Sequence, residues 1–182
     1  MNTEDLQYTA RTDELLAIRC QLGEHAAFDE LIRKWAPPLR RYVARVVNNH
    51  DVSDDIMQEI WISVLRGVAG LRDCSKFRSW LFSIAHRTLM DRLRGQYSIS
   101  IDNDMALDEI AVEDMEARHN EARRIVEGGL SSLPLLEREV LTLFYLQELS
   151  LVEVASVLAL PIGTVKSRLF RARIMLRDQI AH

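Results

Sequence analysis

Five basic side chains and no acidic one lie between Ile162 and Arg177: Lys166, Arg168, Arg171, Arg173 and Arg177. Among them Val165, Leu169 and Ala172 recur at helical spacing, so a helix here buries one side and turns Lys166, Phe170 and Arg173 outward, flanked by Ser167 and Arg171. Arg, Lys and Ser hydrogen-bond base edges and phosphates in a DNA major groove. Thr164, Lys166 and Ser167 occupy the first turns, the part of a recognition helix that reaches bases. Phe170 on this ridge could cover a thymine methyl or pack under neighbouring arginine stems. A second basic cluster runs from Ser75 to Arg94, where Lys76, Arg78, Arg87, Arg92 and Arg94 face only Asp91. Steps of seven and four put Lys76, Ser83, Arg87 and Arg94 on one stripe, suited to tracking a phosphate backbone. Phe77 and Trp80 fit the apolar face of that helix better than a base-stacking surface.

The acidic side chains that could do chemistry are few. Asp55, Gln58 and Glu59 fall within one turn, beside the apolar Ile56 and Ile60. Together with Asp54 they suit a helix N-terminus electrostatically; they could also serve as polar partners for another protein, or hint at a metal-dependent hydrolase. No second acidic or histidine cluster accompanies them. His25, His50, His86, His119 and His182 are scattered and read as ordinary surface or half-buried residues. Cys20 and Cys74 stand far apart, in no CxxC or CxxH arrangement. No catalytic constellation, metal site or cofactor site is expected. The acidic N-terminus lacks an apolar core region, and no apolar run approaches the roughly 18 residues of a membrane span. A cytoplasmic protein without direct membrane insertion is the expectation.

These residues need a framework, and the charge distribution outlines it. The chain has 182 residues with 23 Lys+Arg and 27 Asp+Glu, a formal charge of −4. Residues 1–95 carry 14 bases and 13 acids, residues 96–117 none and 7, and residues 118–182 carry 9 and 7. All of the net negative charge therefore sits in the middle stretch, which contains Asp102, Asp104, Asp108, Glu109, Glu113, Asp114 and Glu116. Such a stretch with few apolar anchors reads as a connector. On either side apolar residues recur at helical spacing. Phe28, Leu31, Ile32 and Trp35 form one stripe and Leu39, Tyr42, Val43 and Val46 another, with Pro37-Pro38 expected to kink or break the helix between them. Asp51 or Ser53 can cap a helix through Ile56, Ile60, Val64 and Leu65, ending near Gly67 and Gly70, and Ser75 can cap the next. Beyond the connector a helix from about Glu116 to Leu130 precedes Pro134, which starts one carrying Leu136, Val140, Leu143 and Phe144. Ser150 to Leu158, a break at Ala159-Leu160-Pro161, and Ile162 to about Ile180 then form a helix-turn-helix. The fold class is all-α: two small helical domains, 1–95 and 118–182, joined by a flexible acidic linker, 96–117.

The segments LPLLEREVLTLFYLQ, LSLVEVASVLALP and GTVKSRLFRAR resemble the promoter-binding region four of bacterial RNA polymerase sigma factors. AFDELIRKWAPPLRRYVARVV, SDDIMQEIWISVL and FRSWLFSIAHRTLMDRLR resemble successive parts of region two. The short length and the lack of other sigma domains match the extracytoplasmic-function (ECF) group. The resemblance implies a sigma factor, not itself an enzyme, that binds core RNA polymerase, recognises two promoter elements and helps open DNA, with an anti-sigma protein as a further partner. It implies that Asp55, Gln58 and Glu59 dock on polymerase. It places Thr164, Lys166, Ser167, Arg168, Phe170, Arg171 and Arg173 at the upstream element, and Cys74, Ser75, Lys76, Arg87 and Arg94 at the downstream element, where the loop Arg72–Ser75 would capture an unstacked base. Two positions depart from the family pattern. Ala159 stands where the turn usually has glycine, so the turn avoids a left-handed backbone or accepts about 1 kcal/mol of strain, and Arg87 stands where asparagine is frequent. A stand-alone helix-turn-helix regulator, binding as a dimer on a palindrome, is the leading rival, and the Asp55–Glu59 turn and the second basic helix argue against it.

Overall fold

Helical periodicity in the sequence becomes eight α-helices among the described residues, 3–47, 53–99 and 126–180, of a computed structural model. They are α1 (Thr3–Gln21), α2 (His25–Val47), α3 (Ser53–Gly67), α4 (Phe77–Ile99), α5 (126–131), α6 (Leu135–Leu141), α7 (Leu151–Leu158) and α8 (Ile162–Ile180). Short 3₁₀ turns at Val68–Gly70 and Cys74–Lys76 lead into α4, and α6 passes into a π-helical turn, Thr142–Leu146. The described residues contain no strand. Of the expected linker only residues 96–99 are described, and they continue α4; the rest, with the start of the helix expected from Glu116, lies outside the described residues.

Pro37 and Pro38 do not divide the second helix. They sit inside α2, which runs as one element from His25 to Val47. Each proline forfeits a helical N–H bond and crowds the carbonyl four residues back. One continuous buried stripe offsets this, with Leu31 and Trp35 ahead of the prolines and Leu39, Tyr42, Val43 and Val46 behind them. Trp35 meets the edges of Phe77 and Phe82 at centroid separations of 6.2 and 6.0 Å, and Tyr42 meets Phe82 at 5.3 Å, so α2 and α4 share an aromatic seam. Ile56, Ile60 and Val64 bury α3 against them, whereas Leu65, expected on that stripe, is 57% exposed. Asp13 ties α1 to α2: only 2% exposed, it accepts from Trp35 Nε1 at 3.0 Å and pairs with Lys34 Nζ at 2.7 Å.

The C-terminal helices are held by polar anchors that apolar periodicity does not reveal. On α6 and the π-helical turn after it the sequence pattern points to Leu136 and Phe144, yet both are half-buried, and the buried set includes Glu137, Arg138 and Glu139. Glu137, 4% exposed, lies 3.1 Å from Arg168 Nη1 and 3.6 Å from Arg171 Nη1, which fastens α8 to α6. Helix α7 begins with a reciprocal capping box: Glu153 accepts from the Ser150 backbone N–H at 2.8 Å, and Ser150 Oγ accepts from that of Glu153 at 3.3 Å. It ends at Ala159, which adopts the left-handed conformation (φ 52°, ψ 40°) so that Ala159 and Leu160 can donate to the last carbonyls. The turn thus accepts the strain that glycine would avoid. Val154 and Leu158 are buried, half-buried Ala155 lies between them, and Val165, Leu169 and Ala172 are buried on α8, as the helix-turn-helix pattern predicts.

Two stability outcomes follow from these anchors. Ala159→Gly should raise unfolding stability by about 0.5–1 kcal/mol, the relieved strain less the added flexibility of the unfolded chain; a lower urea midpoint would contradict it. Glu137→Ala should cost about 1–3 kcal/mol, because Arg168 and Arg171 lose a buried acceptor. An unchanged midpoint would mean that the pairing contributes nothing.

Candidate nucleic-acid and polymerase-binding surfaces

Because α8 is pinned on the side of Val165, Leu169 and Ala172, its opposite side is open. Lys166, Ser167, Phe170, Arg171 and Arg173 are exposed there, and Thr164 is half-buried with its carbonyl accepting from Ser167 Oγ at 2.9 Å. Phe170 is 60% exposed, which leaves most of its ring available for contact. Arg168, half-buried and hydrogen-bonded to Glu137, lies to the inner side of the ridge and positions the helix, whereas Arg171, 3.6 Å from the same carboxylate, stays exposed. The assembled surface offers two guanidinium groups, an ammonium, a hydroxyl and an aromatic ring along the first turns of one helix, the composition that base-edge and phosphate contacts require.

The second basic surface begins in the loop before α4. Asp73, not Ser75, caps the 3₁₀ turn, accepting from the Ser75 backbone N–H at 3.2 Å and also from the Ser75 hydroxyl. The Ser75 hydroxyl, followed by Lys76 with its Nζ at 3.1 Å, holds the Asp73 carboxyl below the usual range. Gln21, a residue that no sequence signal marked, clamps the loop from α1: its Nε2 donates to the carbonyls of Val68 at 3.0 Å and Leu71 at 2.7 Å, and its Oε1 accepts from Cys74 Sγ at 3.5 Å. Cys74 is half-buried, and burial pushes its thiol up. Ser75 and Lys76 are exposed. Along α4, Arg87 and Arg94 face solvent, each folded back on a carbonyl four residues earlier (Ser83 at 3.3 Å, Met90 at 3.2 Å), and Arg94 also pairs with Asp91 at 2.8 Å. Ser83 departs from the expected stripe. It is half-buried and donates to the Ser79 carbonyl at 2.7 Å. Lys76 precedes the helix proper, in a 3₁₀ turn of three residues per turn, so the α-helical azimuth does not apply to it.

The third surface is the outer face of α3. Asp55, Gln58 and Glu59 are all exposed. Asp54 pairs with Arg40 at 2.6 Å, and Glu59 receives two bonds from Arg92, at 3.1 and 2.9 Å, which raise the Arg92 guanidinium and tie α3 to α4. Ile62, 40% exposed, and Leu65 follow on the same helix, giving the acidic turn an apolar extension. Ile62 could have been singled out as an apolar position outside the Ile56–Ile60–Val64 spacing, whereas Leu65 was expected on the buried stripe. Among the described residues no group of three or more His, Cys, Asp or Glu side chains could hold a metal ion, and no helix is long and apolar enough to cross a membrane.

The order of these surfaces along the chain is matched by known proteins. The sigma-70 region 2 family matches residues 31–98, spanning α3 and α4, and the sigma-70 region 4 family matches residues 123–176, spanning the helix-turn-helix. The ECF RNA polymerase sigma-E factor of Escherichia coli K12 is 34% identical over 181 residues, covering 93% of this chain and 94% of that protein. The sigma-E factor of Haemophilus influenzae Rd is 30% identical, covering 93% of this chain and 95% of that protein. In three dimensions the chain resembles CnrH, solved in complex with the cytosolic domain of CnrY, with a TM-score of 0.69 at 24% identity over 93% of this chain and 97% of that one. It also resembles the sigma factor RpoE of Bartonella quintana, solved with the anti-sigma factor NepR, with a TM-score of 0.76 at 22% identity over 85% and 96%. These two likenesses are of fold. With both families matched in order and curated relatives covered almost end to end, the chain belongs to the ECF group of sigma-70 factors, which bind RNA polymerase and direct promoter recognition.

Proposed function

We propose a division of labour among the three surfaces. Residues 1–95 form a region two domain whose α3 docks on core polymerase through Asp55 and Gln58, with Glu59 both contacting polymerase and holding Arg92. The loop at Cys74, Ser75 and Lys76, with Arg87 and Arg94 on α4, receives the downstream promoter element as it melts. Residues 118–182 form a region four domain in which Lys166, Ser167, Phe170 and Arg171 read the upstream element, while Thr164, Arg173 and Arg177 hold phosphates and Arg168 positions the helix. The chain acts in the cytoplasm, where its polymerase partner works, and performs no covalent chemistry of its own. An anti-sigma protein is a further partner, as for the RpoE–NepR pair of similar fold. The observation that carries this reading is the sidedness of α8, whose buried Val165, Leu169 and Ala172 leave a cationic, phenylalanine-bearing ridge to solvent. Run-off transcription with purified core polymerase tests the whole: transcripts from a set of promoter fragments should depend on adding the chain, and their absence from every fragment would overturn the reading.

Individual surfaces have separate signatures. Asp55→Arg should abolish co-purification with core polymerase while leaving the helical circular-dichroism spectrum intact, because Asp55 is exposed; undiminished binding would remove α3 from the interface. Arg171→Ala should cost the holoenzyme about 1–3 kcal/mol on its upstream element and relax base preference there. Arg177→Ala should weaken all sequences alike and lower the salt slope by roughly one. Binding across a randomised upstream element distinguishes the two, and an unchanged base profile for Arg171→Ala would take that residue out of the readout.

A further inference from the structure

Helix α1 buries Asp13, Leu16 and Ala17 at helical spacing, and Gln21, four residues beyond Ala17, is the next position on that face and the last of the helix. An apolar side chain is what such a position ordinarily carries. Gln21 instead commits its whole amide to the chain between α3 and α4. Nε2 donates both protons, to the Val68 carbonyl at 3.0 Å and the Leu71 carbonyl at 2.7 Å, and Oε1 accepts from Cys74 Sγ at 3.5 Å. The two carbonyls belong to the 3₁₀ turn Val68–Gly70 and the residue that closes it, and Cys74 opens the 3₁₀ turn Cys74–Lys76. One side chain therefore bridges the end of α3 and the start of α4 across Arg72 and Asp73, both exposed.

This clamp is long-range, whereas the bonds that Asp73 makes within the loop are local. Asp73 caps Ser75 and pairs with Lys76, contacts that can form wherever the loop lies, but Gln21 stands 47 and 50 residues before the carbonyls it holds. Asp73 therefore shapes the turn, and Gln21 places it on the body of the molecule. With both amide protons engaged and the side chain half-buried, Gln21 has no free donor for DNA, so its effect on recognition is transmitted through the loop. Placement matters for selection. A wrong base is rejected by the polar groups it leaves unpaired, which requires those groups to be held still. A loop free to shift can pair them again, and a loop that must first be ordered loses binding free energy to that ordering.

We propose that Gln21 is a positioning residue for base selection: it holds the loop Arg72–Ser75 in the placement from which the downstream element is read, without touching DNA itself. This rests on the role assigned above to that loop. The test uses holoenzyme assembled from core polymerase and the full chain, on promoter fragments with the upstream and downstream elements randomised in turn, and reads the share of each base among open complexes. Gln21→Met fills similar space without the amide; Gln21→Glu keeps an acceptor for Cys74 in a side chain of the same size and loses the two donated bonds. Both variants should bind core polymerase and select upstream bases as the unaltered chain does, while preference at one or two adjacent downstream positions falls about fivefold, the weight of one net hydrogen bond. The loss should persist on fragments already unpaired across the downstream element, because it arises in base capture and not in strand separation. Unchanged downstream preference in both variants, recovery on the unpaired fragments, or a loss spread evenly over both elements and core binding, as a general weakening of the fold would give, would overturn the proposal. Ser75→Ala and Lys76→Ala separate it from the role on which it rests. If they alter downstream preference and the Gln21 variants do not, Gln21 alone is dismissed; if none of the four alters it, the loop is not the reader and the proposal falls with that role.

Discussion

Two carboxylates on one short helix organise this molecule. Glu137 and Glu139 are two positions apart on α6, about 200° around the helix axis, so they point to opposite sides. Both are buried, and a buried charge persists only where it is met by donors or opposite charge. Glu137 is met by Arg168 and Arg171, which sets where α8 lies and so which of its side chains face outward. Glu139 is met by Tyr42 and His86, which sets where the C-terminal helices lie on the N-terminal ones. Arg138, between them, reaches back to the Ser131 carbonyl at 3.0 Å and across to that of Val46, and burial lowers its guanidinium. Helix α6 is therefore a hub that seats α8 and joins the C-terminal helices to the N-terminal ones.

Function follows from what this hub leaves uncovered. On α8 the pinned side takes Val165, Leu169 and Ala172, and the free side keeps Lys166, Ser167, Phe170 and Arg171. On α4 the aromatic seam with α2 consumes Phe77 and Phe82, while Arg87 and Arg94 stay in solvent. On α3 the buried Ile56, Ile60 and Val64 leave Asp55, Gln58 and Glu59 outermost. In each case an apolar stripe fixes the rotation of the helix, and the rotation selects the functional residues. The polar links are local adjustments of this scheme, such as Gln21 bracing the loop ahead of α4 and Asp73 organising Ser75 and Lys76.

The stripes were legible in the sequence because helical spacing of apolar residues is a strong signal, and the faces of α3 and α8 followed directly. What periodicity could not reveal is the fate of polar residues whose partners are distant in the chain. Glu137, Arg138 and Glu139 look like the charged surface of a helix, and their burial depends on Arg168, Val46, Tyr42 and His86, all contributed by other elements. His86 accordingly reads as unremarkable by itself. The same limitation hid Gln21. The break allowed at Pro37-Pro38 does not occur for a related reason: proline rules describe an isolated helix, and the packing of Leu31 through Val46 keeps α2 one element. Local chemistry did identify the strained turn, and Ala159 occupies the left-handed region that its place at the end of α7 demands.

Calorimetry tests the central role of α6 most directly. If Glu137 and Glu139 join both halves into one cooperative unit, heating the free chain gives a single transition whose calorimetric and van't Hoff enthalpies agree. Two resolved transitions, one for each half of the chain, would contradict the account, because the halves would then be melting without regard to the helix said to hold them together.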